Sequence, residues 1–408
     1  VVEGGILGEE EQALYDEQWH SECHFPERAT AHTNLKPMTQ QRKRALVLSA
    51  YDADSHRRWR LGLEAALGEA FDWTHMTLPP RHFAWRARGS ALTWAMGPER
   101  EVLERGWDVV VATSTVDLSA LRGLVPALAR ARAVVYFHEN QFAYPMRGQA
   151  ARNALHLQLH DVYTALAADR VLFNSAHNRD TMLGGARALL GKLPDGVPPG
   201  VVESIAARSR VVPVGIDDGL SAPRERAPGP LRIVWNHRWE YDKAPEAFVR
   251  ACELLVGRGV EVEVAILGRR FRTIPGALAR AEETLADVLT AYGRLERRAD
   301  YVEALRRADV VVSTAIHEFQ GLAVLEAMAC GCHAVTPDRL AYREYVPEAC
   351  RYASTPGDAE AEASALAGAL EARVWEGSPG ADVSGYRWGA LAARYADELG
   401  NHTTGGDT

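Results

Sequence analysis

Two series of short apolar runs, each run separated from the next by a stretch of helical length, constrain this chain more than any other feature. The first series has strand candidates at residues 45–49, 109–112, 133–137, 171–173 and 211–214, with amphipathic stretches between them such as 150–167. The second has strands near Ile233 and at 262–267, 310–312 and 334–336. Strands that alternate with helices specify a parallel, doubly wound α/β sheet, so the chain is expected to build two of them. The run PVGIDDGLSAPRERAPGPLR separates the series. Its Pro213, Gly215, Pro223, Pro228, Gly229 and Pro230 suit neither strand nor helix, and it reads as a linker.

A length of 408 residues allows two domains of ordinary size, each with its own core. No apolar run reaches the length of a bilayer span, and the first twenty residues lack the basic-then-apolar order of a signal peptide, so a soluble, cytoplasmic protein is expected. The five cysteines, Cys23, Cys252, Cys330, Cys332 and Cys350, are few and scattered, which fits a reducing compartment. The net charge of −8 is unevenly spread: residues 1–40 carry −6, residues 41–215 carry +6 and residues 216–408 carry −8. A basic block between acidic ones points to an anionic partner, nucleic acid first; arginine-rich solvated helices are the alternative.

Two segments of the second series carry chemistry. In STAIHEFQGLAVLEAMACGC, an apolar strand stops at Ser313, a short loop follows, and Gly321 opens an apolar helix, with Glu318 and Glu326 eight positions apart across the junction. Backbone N–H groups at such a helix start suit a diphosphate. Carboxylates beside an anion site make sense when they hydrogen-bond the hydroxyls of sugars joined to it. In LRIVWNHRWEYDKAPEAF, Arg238 and Lys243 stand five apart in a loop between strand and helix. A planar guanidinium and a mobile ammonium together neutralise a diphosphate leaving group.

With these two elements the chain resembles the retaining glycosyltransferases of family 4, in which an R-x4-K element and an E-x7-E element hold a nucleotide sugar. YFHENQFAYP (136–145) and FNSAHNRDTML (173–183), taken with both, narrow the resemblance to the tRNA-queuosine alpha-mannosyltransferase group, over roughly residues 44–352. The resemblance implies the GT-B fold, two Rossmann-like doubly wound domains with an interdomain cleft. Its domains would be an acidic N-terminal extension at 1–40, an acceptor domain at 41–215, a linker at 216–230 and a nucleotide-sugar domain at 231–400. It implies mannose transfer from GDP-mannose to queuosine in the anticodon of tRNA with no metal required, the alternative being a lipid, glycan or small-molecule acceptor with a GDP- or UDP-sugar. His138, Glu318, Arg238 and Lys243 would be catalytic. Arg238, Lys243, Glu318, Phe319, Gly321, Leu322 and Glu326 would bind the donor, Glu318 at the sugar hydroxyls and Glu326 at the ribose. The chain departs from the family after its first strand, where YDADSHRRW puts Ala53 and Asp54 in place of a glycine pair.

On the acceptor side, PPRHFAWRARGSALTW interleaves basic and aromatic side chains, a combination that serves phosphate contacts with stacking on an exposed base. It reads as a loop. The expected acceptor-binding residues are Ser55, His56, Arg81, Trp85, Arg86, Arg88 and Asn140. His156 and His160, one helical turn apart beside Asp161, read as a helix face rather than metal ligands. Cys330, Cys332 and His333 have no second ligand pair to complete a zinc site. An RNA-binding protein with a decayed transferase site is the reading from another class. Against it stand Arg238, Lys243, Glu318, Glu326 and His138, which are all present.

Overall fold

A chain whose apolar runs are buried on both faces makes parallel strands, and among the described residues twelve of them form two sheets of six. The computed structural model describes residues 42–144, 154–194, 196–221, 228–270, 274–376 and 381–400. The acidic extension at 1–40 with Cys23, residues 150–153 of the helix expected from 150, part of the linker and the final residues lie outside them. The chain divides into two units: the C-terminal unit, Ile216–Arg387, and the N-terminal unit, which among the described residues comprises 42–215 joined by 388–400.

In the N-terminal unit the strands are β1 (Lys43–Ser49), β2 (Phe71–Thr77), β3 (Val109–Thr113), β4 (Arg132–Phe137), β5 (Arg170–Phe173) and β6 (Ser209–Val211). They lie in the order β2-β1-β3-β4-β5-β6, all parallel. Every residue of β3 is buried, as a strand covered by helices on both faces requires. The last strand ends at Val211, short of the expected 214, and Pro213, with no N–H to give a ladder, lies beyond it.

The helix Trp388–Glu398 belongs to this unit, although its sequence lies far beyond the second series of strands. Tyr395 is buried; its hydroxyl accepts from Trp59 Nε1 at 3.1 Å and donates to the Pro213 carbonyl at 2.9 Å. Gly62 and Gly215 let the Trp388 indole close in: a Cβ on either would come within 2.2 and 2.4 Å of its ring.

The C-terminal unit has β7 (Leu231–Asn236), β8 (Val262–Leu267), β9 (Leu289–Gly293), β10 (Val310–Val312), β11 (His333–Pro337) and β12 (Arg351–Tyr352), in the order β12-β11-β10-β7-β8-β9 and again all parallel. Winding reverses between β7 and β10, the position where ligands bind in open sheets of this kind. The loops after these two strands are the two segments singled out in the sequence. The stretch read as a linker starts inside this unit: Ile216 is part of its core and forms a lone parallel bridge with Arg387.

Two expectations change. The basic-aromatic run is not a loop beyond His82; it forms the helix Phe83–Met96, with His82 at its N-cap in the left-handed region, φ 54°. Ala53 takes φ −67°, so the loop after β1 has no need of glycine at that position.

Candidate active site

The register of β7 and β10, with Val310 opposite Ile233, sets their two loops side by side. After β7 comes Arg238, then the short 3-10 turn Tyr241–Lys243, then the helix Pro245–Gly257. After β10 the chain runs through Ser313 to Gln320 before the helix Leu322–Ala329. Hydrogen bonds lock the loops together. The Thr314 hydroxyl accepts from Trp235 Nε1 at 3.1 Å and donates to the Lys243 carbonyl at 2.7 Å, while the Ile316 N–H donates to the Asp242 carbonyl at 2.9 Å. Behind them the buried Arg339 donates to the Thr314 and Ala315 carbonyls and pairs with Glu362.

Lys243 and Glu318 meet at 3.2 Å. The buried Lys243 ammonium also donates to the His317 carbonyl at 2.8 Å and stands 3.1 Å from Asp242 Oδ2, so each of its three N–H bonds has an acceptor within reach. The other Glu318 oxygen accepts from the Phe319 and Gln320 N–H groups at 3.1 and 3.5 Å. Burial alone would raise the Glu318 pKa; Lys243, His237 and His317 overcome it and bring it down to about 2. Burial and the Lys243 charge push His237 down to about 4, and its buried Nε2 has no hydrogen-bond partner among the described residues. Glu318 and Asp242 hold Lys243 above its ordinary value against the opposing effect of burial. Arg238 is exposed, with Nη2 3.0 Å from Glu240.

Gly321 joins the loop to its helix at φ 84°, a conformation that favours glycine, and a Cβ there would meet the Tyr345 hydroxyl at 2.4 Å. That hydroxyl donates to the Gln320 carbonyl at 2.8 Å. The turn aims the first N–H groups of the helix, those of Leu322 and Ala323, along the helix axis, the direction that suits an anion. Phe319 is buried and its ring meets that of His317 edge-on at 4.7 Å.

Glu326 lies a turn into the same helix and is buried at 2% exposure. Its carboxylate accepts from Arg298 Nη2 at 2.7 Å and from the Tyr301 hydroxyl at 3.2 Å. The Tyr301 hydroxyl in turn accepts from Asn236 Nδ2 at 3.0 Å, at the end of β7.

In the N-terminal unit His138 follows β4, buried, its ring stacked on His56 at 4.1 Å and edge-on to Trp59 at 5.0 Å. Burial and the neighbouring His56 push His138 well below the ordinary histidine range, and its Nε2 has no hydrogen-bond partner among the described residues. Burial lowers His56 as well. Ser55 is exposed in the first turn of the helix Asp54–Leu67.

Three acceptor expectations meet constraints. Asn140 is fully buried, and its amide is committed within the unit: Nδ2 donates to Asn178 and Thr181, and Oδ1 accepts from the Phe142 and Ala143 N–H groups. These bonds hold the loop that follows His138. Arg88 pairs with Asp117 at 2.8 Å, and Asp117 caps the helix Leu118–Leu124. Arg86 is partly buried, whereas Arg81 and Trp85 are exposed, Trp85 at 54%. His160 is buried and bonded to the Ser114 carbonyl at 2.8 Å while His156 is exposed, so they share no metal. Cys330 and Cys332 are buried and form no disulfide among the described residues, and the Cys332 thiol donates to the Leu305 carbonyl at 3.0 Å.

Sequence reasoning missed Asp242, His237, His317 and Arg298. The first three flank residues already singled out, and a carboxylate beside a lysine bound for the interior is a readable signal. Arg298 has none, since its partner is distant in sequence.

Residues 44–216 match the family described as tRNA-queuosine alpha-mannosyltransferase N-terminal, and residues 231–372 match Glycosyl transferases group 1. A tRNA-queuosine alpha-mannosyltransferase of Drosophila melanogaster is 34% identical over 314 residues, covering 74% of this chain and 81% of the relative. Among solved structures, Anabaena HepE in complex with UDP and glucose is similar at 13% identity and TM-score 0.57, over 88% of this chain and 100% of that one. Sucrose-phosphate synthase of Thermosynechococcus elongatus is similar at 15% identity and TM-score 0.60, over 87% and 98%. At such identities the likeness concerns the fold, which is α/β GT-B with a Rossmann-like sheet in each unit.

Proposed function

Since the chain belongs to the tRNA-queuosine alpha-mannosyltransferase family, we propose that it transfers a mannosyl group from GDP-mannose to queuosine in a tRNA anticodon, with retention of configuration. The observation that carries the reading is the meeting of Lys243 and Glu318 at 3.2 Å where the sheet winding reverses, which joins the R-x4-K and E-x7-E elements in one charged cluster.

A glycosyl group leaves its nucleotide as negative charge builds on the diphosphate and positive charge on the sugar. Groups already fixed in place stabilise that change most cheaply, because nothing has to reorient as the bond breaks. Arg238, Lys243 and the N–H groups that open the helix at Leu322 face the diphosphate. Glu318, held ionised, takes the sugar hydroxyls, and Glu326 takes the ribose. The chain's own cations supply the charge neutralisation, so no divalent metal is required. His138, held neutral, acts as a hydrogen-bonding group for the sugar rather than as a cation. The tRNA is met by the N-terminal unit, through Arg81, Trp85, Arg86 and Ser55, and the protein works in the cytoplasm, where tRNA is.

The test is direct. Incubation of the full chain with GDP-mannose and tRNA should add the mass of one hexose to queuosine nucleosides, and leave tRNA that lacks queuosine unchanged. Transfer only to a lipid, glycan or small molecule would overturn the acceptor assignment.

A further inference from the structure

Arg298 and Tyr301 lie outside both motifs, yet they hold the second glutamate of one of them. Arg298 Nη2 reaches Glu326 Oε1 at 2.7 Å, and the Tyr301 hydroxyl reaches Oε2 at 3.2 Å, so each carboxylate oxygen has its own donor. The two donors come from one face of the helix Arg298–Arg307, three positions apart, with the guanidinium carbon 5.2 Å from the Tyr301 ring centroid. Asn236 ties the arrangement to the sheet: its Nδ2 donates to the Tyr301 hydroxyl at 3.0 Å and to the Ala323 carbonyl, in the first turn of the Glu326 helix, at 2.9 Å.

Two features of this arrangement are costly for stability alone. Arg298 is the first residue of its helix, the end at which the helix dipole disfavours a cation. The pair is also largely withdrawn from water, with side-chain exposures of 20% and 2%, and burying two charges costs more than an apolar pair of the same size. Burial works to lower the Arg298 pKa and Glu326 more than offsets it, so the guanidinium stays charged. What the arrangement supplies is a carboxylate of fixed orientation.

We propose that Arg298 and Tyr301 are positioning residues that make Glu326 a reader of the donor's ribose diol, so that this enzyme distinguishes ribonucleotide from 2′-deoxyribonucleotide donors through them. The inference rests on the donor reading given above. A carboxylate accepts from more than two donors at once, so both bonds persist while a diol is held. A hydroxyl missing from the ligand leaves a further lone pair of this buried, oriented acceptor without a donor, and that is how a polar site rejects an analogue. Without Arg298 the carboxylate is free to turn, and the distinction fades.

The experiment compares GDP with 2′-deoxy-GDP by calorimetry on the full chain, a readout that needs neither acceptor nor turnover. The original protein should prefer GDP by at least about tenfold, as loss of a hydrogen bond to a charged group predicts. Arg298→Gln should bring the two affinities to within about threefold, Arg298→Lys should restore part of the preference, and Tyr301→Phe should lower it by a smaller factor. If Arg298→Gln does not fold, Tyr301→Phe, which keeps the ring beneath the guanidinium, carries the test. A merely structural role predicts weaker binding of both nucleotides with the ratio unchanged, and that result would overturn the inference. So would an original protein that binds the two nucleotides equally. No binding of either nucleotide, or preference for UDP, would instead count against the donor reading itself.

Discussion

Lys243 and Glu318 stand 75 positions apart in the chain and 3.2 Å apart in space, with Asp242 on the other side of the same ammonium. A lysine enclosed by two carboxylates is fixed in place before any ligand arrives. The diphosphate it is proposed to serve gains charge only as the glycosidic bond breaks, so its contribution belongs to the transition state.

Lys243→Ala should therefore lower the rate constant at saturating donor more than it weakens donor binding. The expected loss is about 1.5 to 3 kcal/mol, roughly ten- to a hundredfold. Single-turnover kinetics on GDP-mannose separates the two effects. An unchanged rate with a raised donor KM would remove Lys243 from the leaving-group role.

Gly321→Ala should destabilise the C-terminal unit by about 1 to 3 kcal/mol, because the residue sits at φ 84° and a Cβ would press on the Tyr345 hydroxyl. Tyr345→Phe in the same chain should recover only part of the loss, since it removes the clash and leaves the backbone strain. Chemical denaturation of the original protein and the two variants checks this. Full recovery would assign the effect to the clash alone.

Acid should unfold the C-terminal unit in two overlapping stages. His237 is neutral in the folded state down to about pH 4, against 6.5 in an open chain, so its contribution is complete above pH 6.5 and fades as pH falls from 6.5 to 4. Glu318, lowered from 4.5 to about 2, keeps its contribution above pH 4.5 and loses it as pH falls toward 2. Each spans about 3 kcal/mol. His237→Gln should flatten stability between pH 6.5 and 4 and leave the lower stage in place; an unaltered profile would assign the first stage to groups other than His237.

Binding of tRNA should weaken steeply with added salt, as each neutralised phosphate releases counterions. Arg81→Ala and Arg86→Ala should flatten the slope more than Arg88→Ala, whose guanidinium is already paired with Asp117. The exposed Trp85 should contribute about 1 to 3 kcal/mol if its ring stacks on a base. Binding titrations at several salt concentrations would decide. Equal slopes for all four proteins would move the RNA surface elsewhere.

The alternation of strands and helices is legible in the sequence because burial on both faces leaves runs such as Val310, Val311 and Val312 with no polar interruption. The strand β9, LTAYG, escapes the same reading: it lies at an edge of its sheet, and all but Gly293 stay partly exposed. The helix at Phe83 is missed because Trp85, Leu92 and Met96 are exposed on it, so its apolar residues do not mark a buried stripe. Spacing also identifies Glu318, Glu326, Arg238 and Lys243 as a set. It leaves unstated that Glu318 pairs with Lys243 while Glu326 pairs with Arg298, because the register of β7 on β10 and the helix after β9 decide that. Nor does the pattern reveal that Asn140 is occupied by its own loop.

The helix Trp388–Glu398 gives the fold an order in time. A ribosome releases the N-terminal unit first, and domains ordinarily fold as they emerge. Here residues 42–215 emerge with a gap where Trp388 belongs against Gly62 and Gly215, and with the Trp59 indole and the Pro213 carbonyl lacking the Tyr395 hydroxyl. The first unit begun is therefore the last one finished. It stays incomplete until the whole C-terminal unit has been made, and a transcript cut short anywhere before that helix yields no finished copy of the unit proposed to meet tRNA.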